Sequence, residues 1–255
     1  MARYFMTLSY DGTPFHGWQI QPHDNSVQET IEKALAVLLH TPTTITGAGR
    51  TDTGVNAAMM VAHFDTAKPL NPQELHNLLR SLNAMVGRAI AIYGIVPVAP
   101  DAHARFDATS RTYKYFVHTR KSPFLNSYSW HCHYKLNFER MNEAASRLKE
   151  FTDFTSFSKL HTDVKTNNCR IDHALWTREG ESWVFTITAD RFLRNMVRAI
   201  VGTLVDVGTG KITVEQFCEI IEKRDRCLAG QSMPGHALFL WNVTYPYPIT
   251  QVQEN

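Results

Sequence analysis

Residues 47–57 read GAGRTDTGVNA and contain one carboxylate, Asp52, two positions after Arg50. Strand-like segments flank this stretch at residues 43–48 and 58–65, which indicates a loop between two strands. Asp52 begins an Asp-Thr-Gly triplet of the kind that aspartic proteases carry. The chemistry of this carboxylate therefore has to be judged from the sequence around the loop.

The protease interpretation is poorly supported, because aspartic proteases use two carboxylates that share one proton. The chain has one Asp-Thr-Gly triplet. A dimer could supply a second copy, but Arg50 would favour the ionised carboxylate and oppose proton sharing. A phosphate-binding loop is also weakly indicated, since Gly47 and Gly49 lack the third glycine and the helix of a dinucleotide fingerprint. From the loop alone, the better explanation is that the Asp52 side chain caps a turn, as Asp often does before Gly.

The composition is that of a globular protein with 255 residues, 44% of them hydrophobic and 20% charged. A net charge of +2 predicts no general attraction to polyanions, so any nucleic-acid site requires clustered cations. The four cysteines show no Cys-x-x-Cys spacing, which favours reduced thiols, a cytoplasmic location and no zinc. The amino terminus lacks the long apolar segment of a signal peptide, and no apolar run is long enough to span a bilayer.

Working outward from the loop, strands and helices alternate along the chain. A strand is predicted at residues 2–10 and a helix from Ser26, where Ser26 and Glu29 form a capping box. The other predicted elements are a helix from Asn71, strands at 89–98 and 110–119, a helix from Asn137 to about Glu150, strands near 167–178 and 182–190, helices near 193–206 and 213–224, and a strand around 237–245.

The repeated order of elements predicts an α+β fold. We expect two similar, ferredoxin-like-derived halves with mainly antiparallel sheets, joined around a central cleft, with the helices on the outer face. Residues 1–105 would form the amino-terminal half with the Asp52 loop, and residues 106–255 the carboxy-terminal half. A cleft of this kind is the natural place for a ligand.

Two further stretches carry unusual chemistry. Residues 10–21 interleave glycines, aromatic rings and polar groups more densely than a plain connector does. In the strand that starts at residue 110, alternation places Arg111 and Tyr113 on one face and Lys114 on the other. An aromatic ring beside cations suits a stacked base and a bound phosphate backbone, although ordinary sheet packing of the tyrosine explains it as well.

A third stretch, residues 191–198, places three arginines at helical spacing. Arg191, Arg194 and Arg198 would lie on one side of a helix. Their like charges would repel each other there unless a bound anion or a carboxylate neutralised them. A solvated basic face is the simple alternative. Together with the cations between residues 105 and 121, this pattern makes RNA the leading partner.

These stretches together resemble the tRNA pseudouridine synthase A (TruA) family. The similarity rests on residues 49–55, residues 10–21, the strand with Arg111 and Tyr113, and the segment 192–198, and it spans nearly the whole chain. It implies an isomerase of tRNA modification that converts uridine to pseudouridine in the anticodon arm, at tRNA positions 38, 39 and 40, without a metal or organic cofactor. It also implies a homodimer.

The resemblance implies roles for individual residues. Asp52 would be the nucleophile, which suits a reaction that breaks an N-glycosidic bond and remakes it to carbon. Arg50 and Arg198 would keep the aspartate charged, and Arg198 matches the family arginine that pairs with it. Tyr113 would stack on the target base and assist proton removal. Further candidates for substrate binding are Arg111, Lys114, Arg191, Arg194 and, as a wall of the pocket or as core packing, Leu238.

The chain departs from the family pattern at three positions. Thr53 replaces a usual alanine, Asn56 a usual histidine and Ala237 a usual glycine, which puts in doubt which uridines are modified. A non-catalytic RNA-binding protein or chaperone on the same scaffold is the competing class. The triplet His131, Cys132 and His133 could suggest a metal, but three residues that alternate along a strand cannot converge, so we interpret the triplet as structural.

Overall fold

The computed structural model describes residues 1–159 and 166–249. The described residues form two compact units, which we call the first unit (Met1–Thr109 and residues 240–249) and the second unit (Ser110–Phe239). Five α-helices and nine strands lie in these ranges, so the predicted α+β class is confirmed. No helix in the same ranges is both long and apolar enough to cross a bilayer.

The first unit is built around three antiparallel strands. Its elements are β1 (Ala2–Tyr10), α1 (Val27–Leu39), β2 (Thr46–Gly47), β3 (Asn56–Thr66), α2 (Pro72–Met85) and β4 (Ile90–Val98). β1 lies between β3 and β4 and pairs antiparallel with both, while the short β2 pairs with β3. The Asp52 loop therefore connects β2 to β3, as the flanking strand patterns predict.

Both faces of β1 are covered, because successive side chains point to opposite sides of the sheet. Tyr4 stacks on Phe64 at 5.5 Å, and its hydroxyl accepts the Leu70 N–H at 2.7 Å just before α2. Phe5, on the opposite face, contacts the rings of Tyr245 and Tyr247. The segment that starts at the end of β1, residues 10–21, is outside this packing and is free to contact the Asp52 loop.

The second unit has a similar antiparallel core. Its elements are β5 (Ser110–His118), β6 (Trp130–His131), α3 (Phe138–Arg147), β7 (Ile171–Glu179), β8 (Ser182–Ala189), α4 (Met196–Gly208) and α5 (Val214–Glu222). β8 pairs antiparallel with β5 and β7, and the short β6 pairs parallel with β5. The last strand, β9 (Leu238–Thr244), follows α5. The mainly antiparallel pairing within each unit agrees with the expectation.

Several predicted boundaries need correction. Only Thr46 and Gly47 of the segment 43–48 pair as a strand, and the helix predicted from residue 193 begins at Met196. The capping box at α1 is only half formed: the Ser26 hydroxyl accepts the Glu29 N–H at 3.2 Å, whereas the Glu29 carboxylate pairs with Lys33 at 2.7 Å. An exposed lysine one turn along the helix competes for the carboxylate that the box would use.

Candidate active site

The Asp52 loop lies between β2 and β3 in the first unit. The Asp52 side chain is partly exposed and that of Arg50 is exposed, whereas Thr51 and Val55 on either side are buried. The loop is thus anchored by its neighbours while its charged groups remain accessible to a substrate.

Residues 10–21 hold the backbone of this loop. The Trp18 N–H donates to the Thr51 carbonyl at 3.2 Å, and the Gly54 N–H donates to the Phe15 carbonyl at 3.4 Å. These two bonds lie on either side of Asp52. The dense mixture of residue types in the segment is therefore explained by its contact with the loop.

Two buried side-chain bonds join the same segments. The hydroxyls of Tyr10 and Thr51 are 2.8 Å apart, and the Asn56 amide oxygen accepts the Gly12 N–H at 2.8 Å. Asn56 is completely buried, so this acceptor satisfies a backbone donor that water does not reach. The sequence singles out Asn56 only as a departure from the family pattern, and its structural role was not predicted.

Close backbone approach requires glycine at two positions of residues 10–21. Gly17 has φ 97°, and a Cβ there would lie 2.5 Å from the Thr51 carbonyl oxygen. A Cβ on Gly12 would overlap the carbonyl of Val55. Any larger residue would push the segment away from the Asp52 loop.

Helix α1 holds residues 17 and 18 from the other side. The first amide groups of a helix lack partners within the helix. In α1, the Val27 N–H donates to the Gly17 carbonyl at 3.2 Å and the Gln28 N–H to the Trp18 carbonyl at 3.0 Å. The start of α1, residues 10–21 and the Asp52 loop therefore form one connected assembly.

In the second unit, Tyr113 lies in β5 with only 9% of its surface exposed. Its ring meets that of Phe192 edge to face, with centroids 5.0 Å apart. This contact brings together two of the stretches that the sequence singles out. It also helps to fix the orientation of the tyrosine ring.

The predicted cations differ in their surroundings. The guanidinium of Arg111 donates to the Asp190 carbonyl at 2.8 Å, and that of Arg191 donates to the Thr166 carbonyl at 3.2 Å. Lys114 pairs with Glu179 at 3.0 Å. Its side chain points to the face of β5 opposite that of Tyr113, as strand alternation predicts.

Arg198 lies in the first turn of α4 and is half-buried. Its Nε donates to the Met233 carbonyl at 2.5 Å, and its own carbonyl accepts the Met233 N–H at 3.2 Å. Burial raises the pKa of the neighbouring Tyr115, an effect that the positive charge of Arg198 partly opposes. The segment before β9 thus positions this arginine, and Leu238 at the start of β9 is buried.

The expected helical spacing of the three arginines is wrong. Arg191 and Arg194 precede α4, and only Arg198 lies within it. Asn195 has φ 67°, a left-handed conformation that no helix continues, and its amide donates to the Ser232 hydroxyl at 2.6 Å. This tertiary contact starts the helix later than its apolar pattern suggests.

The side chains of His131, Cys132 and His133 do not converge on one point, as alternation along a strand predicts. The rings of His131 and His133 lie 4.2 Å apart, because residues two apart on an extended segment share a side. Cys132 is buried away from them and donates its thiol to the Tyr134 carbonyl. Among the described residues, no group of three His, Cys, Asp or Glu side chains is arranged to hold a metal ion.

Comparison with known proteins identifies the family. The family model described as tRNA pseudouridine synthase matches residues 6–107 and 144–246. The chain is 59% identical over 254 residues to tRNA pseudouridine synthase A of Parabacteroides distasonis, covering 100% of both chains. It is 58% identical to the protein of that name from Bacteroides fragilis, covering 98% of each, and 43% identical to that from Bacillus subtilis, covering 94% and 97%. The chain therefore belongs to the tRNA pseudouridine synthase family, a class of isomerases.

Proposed function

We propose that this protein converts uridine to pseudouridine in tRNA, with Asp52 as the nucleophile. The observation that carries the proposal is the support of the Asp52 loop: residues 10–21 bond to it on both sides of the aspartate, and Gly17 packs directly against Thr51. Family membership over both units and 59% identity to a named synthase support the same activity.

The reaction needs a group that attacks or stabilises the sugar or base while the base changes its attachment. The N1–C1′ bond breaks and a C5–C1′ bond forms. The hydrogen at C5 leaves as a proton and N1 takes up a proton, so the product is an isomer of the substrate. A carboxylate held in a braced, accessible loop suits the nucleophilic step because its position is set before the substrate binds. Asp52 is the residue in the loop with this chemistry.

Other residues are proposed for supporting roles. Arg50 and Arg198 would stabilise the charged aspartate, and Tyr113 would stack on the base and receive or relay the C5 proton. Arg111, Lys114, Arg191 and Arg194 would contact the RNA backbone, with Leu238 as an apolar wall of the pocket. The bonds of Arg111 to Asp190 and of Lys114 to Glu179 would orient these cations before RNA binds.

The finer expectations belong to the same proposal. We expect the anticodon arm as the target, in a cleft between two ferredoxin-like-derived halves, 1–105 and 106–255, with the helices outside. The proposal also includes a homodimer, a cytoplasmic location and catalysis without a metal or cofactor. Turning the target base out of its stack costs a few kcal/mol, which stacking and backbone contacts would offset.

Tritium release tests the proposal. A tRNA labelled with tritium at uridine C5 loses the label only when the glycosidic bond moves to that carbon. We expect release by the wild-type protein and a loss of more than about a thousandfold in Asp52→Asn, since removal of a nucleophile has effects of this size. Asp101→Asn, which removes an exposed carboxylate outside the loop, serves as the matched control and should leave the rate unchanged.

The competing function is a non-catalytic RNA-binding protein. Under that interpretation the wild-type protein and Asp52→Asn would bind tRNA equally and neither would release tritium. Such a result would rule out the synthase proposal and direct attention to Thr53, Asn56 and Ala237, where the chain departs from the family pattern.

A further inference from the structure

The segment of residues 119–136 between β5 and α3, which we call the cationic loop, is free of acidic residues. From residue 108 to residue 138 the sequence contains no Asp or Glu. The loop itself carries three exposed cations, Arg120, Lys121 and Lys135. In the part of the chain that the structure describes, none of the three forms an ion pair or hydrogen bond through its side chain. The loop is therefore strongly positive on a protein whose net charge is only +2.

Aromatic rings are exposed among these cations. Phe124 is 90% exposed, Tyr134 64% and Tyr128 45%. Three accessible rings so close together in sequence are uncommon, because solvent exposure of a large apolar side chain gives no stability to the fold. Alternation of rings and cations is typical of surfaces that stack on bases and bind phosphates.

The cationic loop is held in place by buried contacts. His118, at the end of β5, bonds through its two ring nitrogens to the Ser129 hydroxyl at 2.9 Å and the Asn126 amide oxygen at 3.2 Å. The ring of His131 stacks on His118 at 4.9 Å with an angle of 8° between the planes, and His133 contacts His131. These contacts preorganise the exposed groups for a partner.

The charge pattern favours a polyanion over a second copy of the same surface. A symmetric contact between two copies would place each cationic loop against its equivalent and bring like charges together. Phosphates would instead pair with all three cations and release bound counterions. The position agrees with this choice: His118 lies five residues along β5 from Tyr113, a separation of about 17 Å that an RNA stem easily spans.

We propose that the cationic loop is a second RNA-binding surface, which holds the backbone and an unstacked base of the tRNA away from the target uridine. This inference rests on the proposed function, because it assumes that the RNA bound at Tyr113 extends along β5. The three cations would contact phosphates, and Phe124 and Tyr134 would stack on accessible bases.

The salt dependence of RNA affinity tests the inference. The triple variant Arg120→Ala, Lys121→Ala and Lys135→Ala should bind tRNA at least about tenfold more weakly at 0.1 M salt. The slope of log K against log salt should become shallower by about 2 to 3, since each lost phosphate contact removes about 0.7 to 0.9. A matched triple variant of exposed cations elsewhere, Arg80→Ala, Lys149→Ala and Lys68→Ala, should keep the wild-type affinity and slope.

Parallel measurements separate the possible failures. An unchanged slope in a triple variant that still releases tritium would overturn this inference and leave the proposed function intact. A reduced slope in a protein that releases no tritium would uphold the RNA-binding surface while the synthase proposal fails. Dissociation of an oligomer by the triple variant, with RNA binding unchanged, would show a protein interface instead. If the triple variant does not fold, Lys121→Ala alone should reduce the slope by about 0.7 to 0.9.

Discussion

At the scale of single residues, the position of Asp52 depends on a glycine 35 positions earlier in the chain. Gly17→Ala would place a methyl group 2.5 Å from the Thr51 carbonyl oxygen and would strain a backbone with φ 97°. We expect a loss of about 1 to 3 kcal/mol in the free energy of unfolding and at least a tenfold lower turnover, because the loop must move to relieve the overlap. Urea unfolding and tritium release measure the two effects.

Gly87→Ala is the control for this prediction. Gly87 also has a positive φ, 77°, but a Cβ there would meet nothing within 4 Å. This variant should lose stability through backbone strain alone, by less than Gly17→Ala, and should keep its turnover. Equal turnover losses in both variants would mean that the contact with Thr51 has no part in catalysis.

Tyr113 combines two roles that one substitution can separate. Tyr113→Phe keeps a ring that can stack and retains the edge-to-face contact with Phe192, but it removes the hydroxyl. If the hydroxyl takes part in proton removal, turnover should fall about 10² to 10⁴-fold while KM for tRNA changes little. A rise in KM with unchanged turnover would contradict the proton-transfer role and leave only stacking.

At the scale of elements, the start of helix α1 supports the segment that contacts the Asp52 loop, so a change that destabilises α1 should also disturb the candidate site. Ser26 is the N-cap of α1, and the two amide groups that follow bond to the carbonyls of Gly17 and Trp18. Ser26→Ala should cost about 1 kcal/mol of stability, as cap removal usually does. It should also lower turnover several-fold, because the start of the helix supports the segment that contacts the Asp52 loop.

Asn71→Ala offers the matched comparison on α2, where Asn71 caps the helix and accepts the Glu74 N–H at 2.9 Å. Thermal unfolding should show a similar loss of stability in the two cap variants. Turnover at a temperature where both are folded should fall only in Ser26→Ala. If neither variant changes turnover, α1 is a structural support of the unit and not of the site.

At the scale of the whole molecule, His63 should make folding stability depend on pH. Burial, followed by the charge of Arg3, lowers the pKa of His63 from 6.5 to about 4, and its Nδ1 accepts the Ala104 N–H at 3.2 Å. The unfolded chain therefore takes up this proton first as the pH falls. The contribution of His63 to the free energy of unfolding is fully present above about pH 6.5. It is lost as the pH falls from 6.5 to 4, by about 3 kcal/mol in total.

The other groups that face His63 are His103, Arg3, Asp65 and Asp107. Burial also lowers the pKa of His103, which adds to the same trend. A hydrogen bond from Arg3 lowers the pKa of Asp65, and one from Tyr247 lowers the pKa of Asp107. The stability that these two carboxylates contribute is therefore lost only below about pH 4, near the ordinary pKa of a carboxyl group.

His63→Asn measures this contribution because the amide oxygen can still accept from Ala104 but does not titrate. The slope of stability against pH, from urea unfolding between pH 4.5 and 7, should become shallower by about 1 kcal/mol per pH unit. His173→Asn, at an exposed histidine of β7, should keep the wild-type slope. An unchanged slope in His63→Asn would exclude His63 as the source.

The sequence by itself determined the α+β class, most element positions and the stretches that surround the candidate site. It could do so because strand alternation, helical periodicity, caps and glycine-rich loops are local patterns. Residues 10–21 and the Asp52 loop stand out by their composition even before their contact is known. The family resemblance added the chemistry that the loop alone left open.

The tertiary structure decided what depends on contacts between distant residues. The bond from Gly12 to Asn56, the approach of Gly17 to Thr51 and the bond from Asn195 to Ser232 that delays the start of α4 join residues 34 to 44 positions apart. The meeting of His118, His131 and His133 likewise depends on the return of the chain beside β5. Local propensities carry no information about such partners, because packing and backbone satisfaction are settled only when the whole chain has folded.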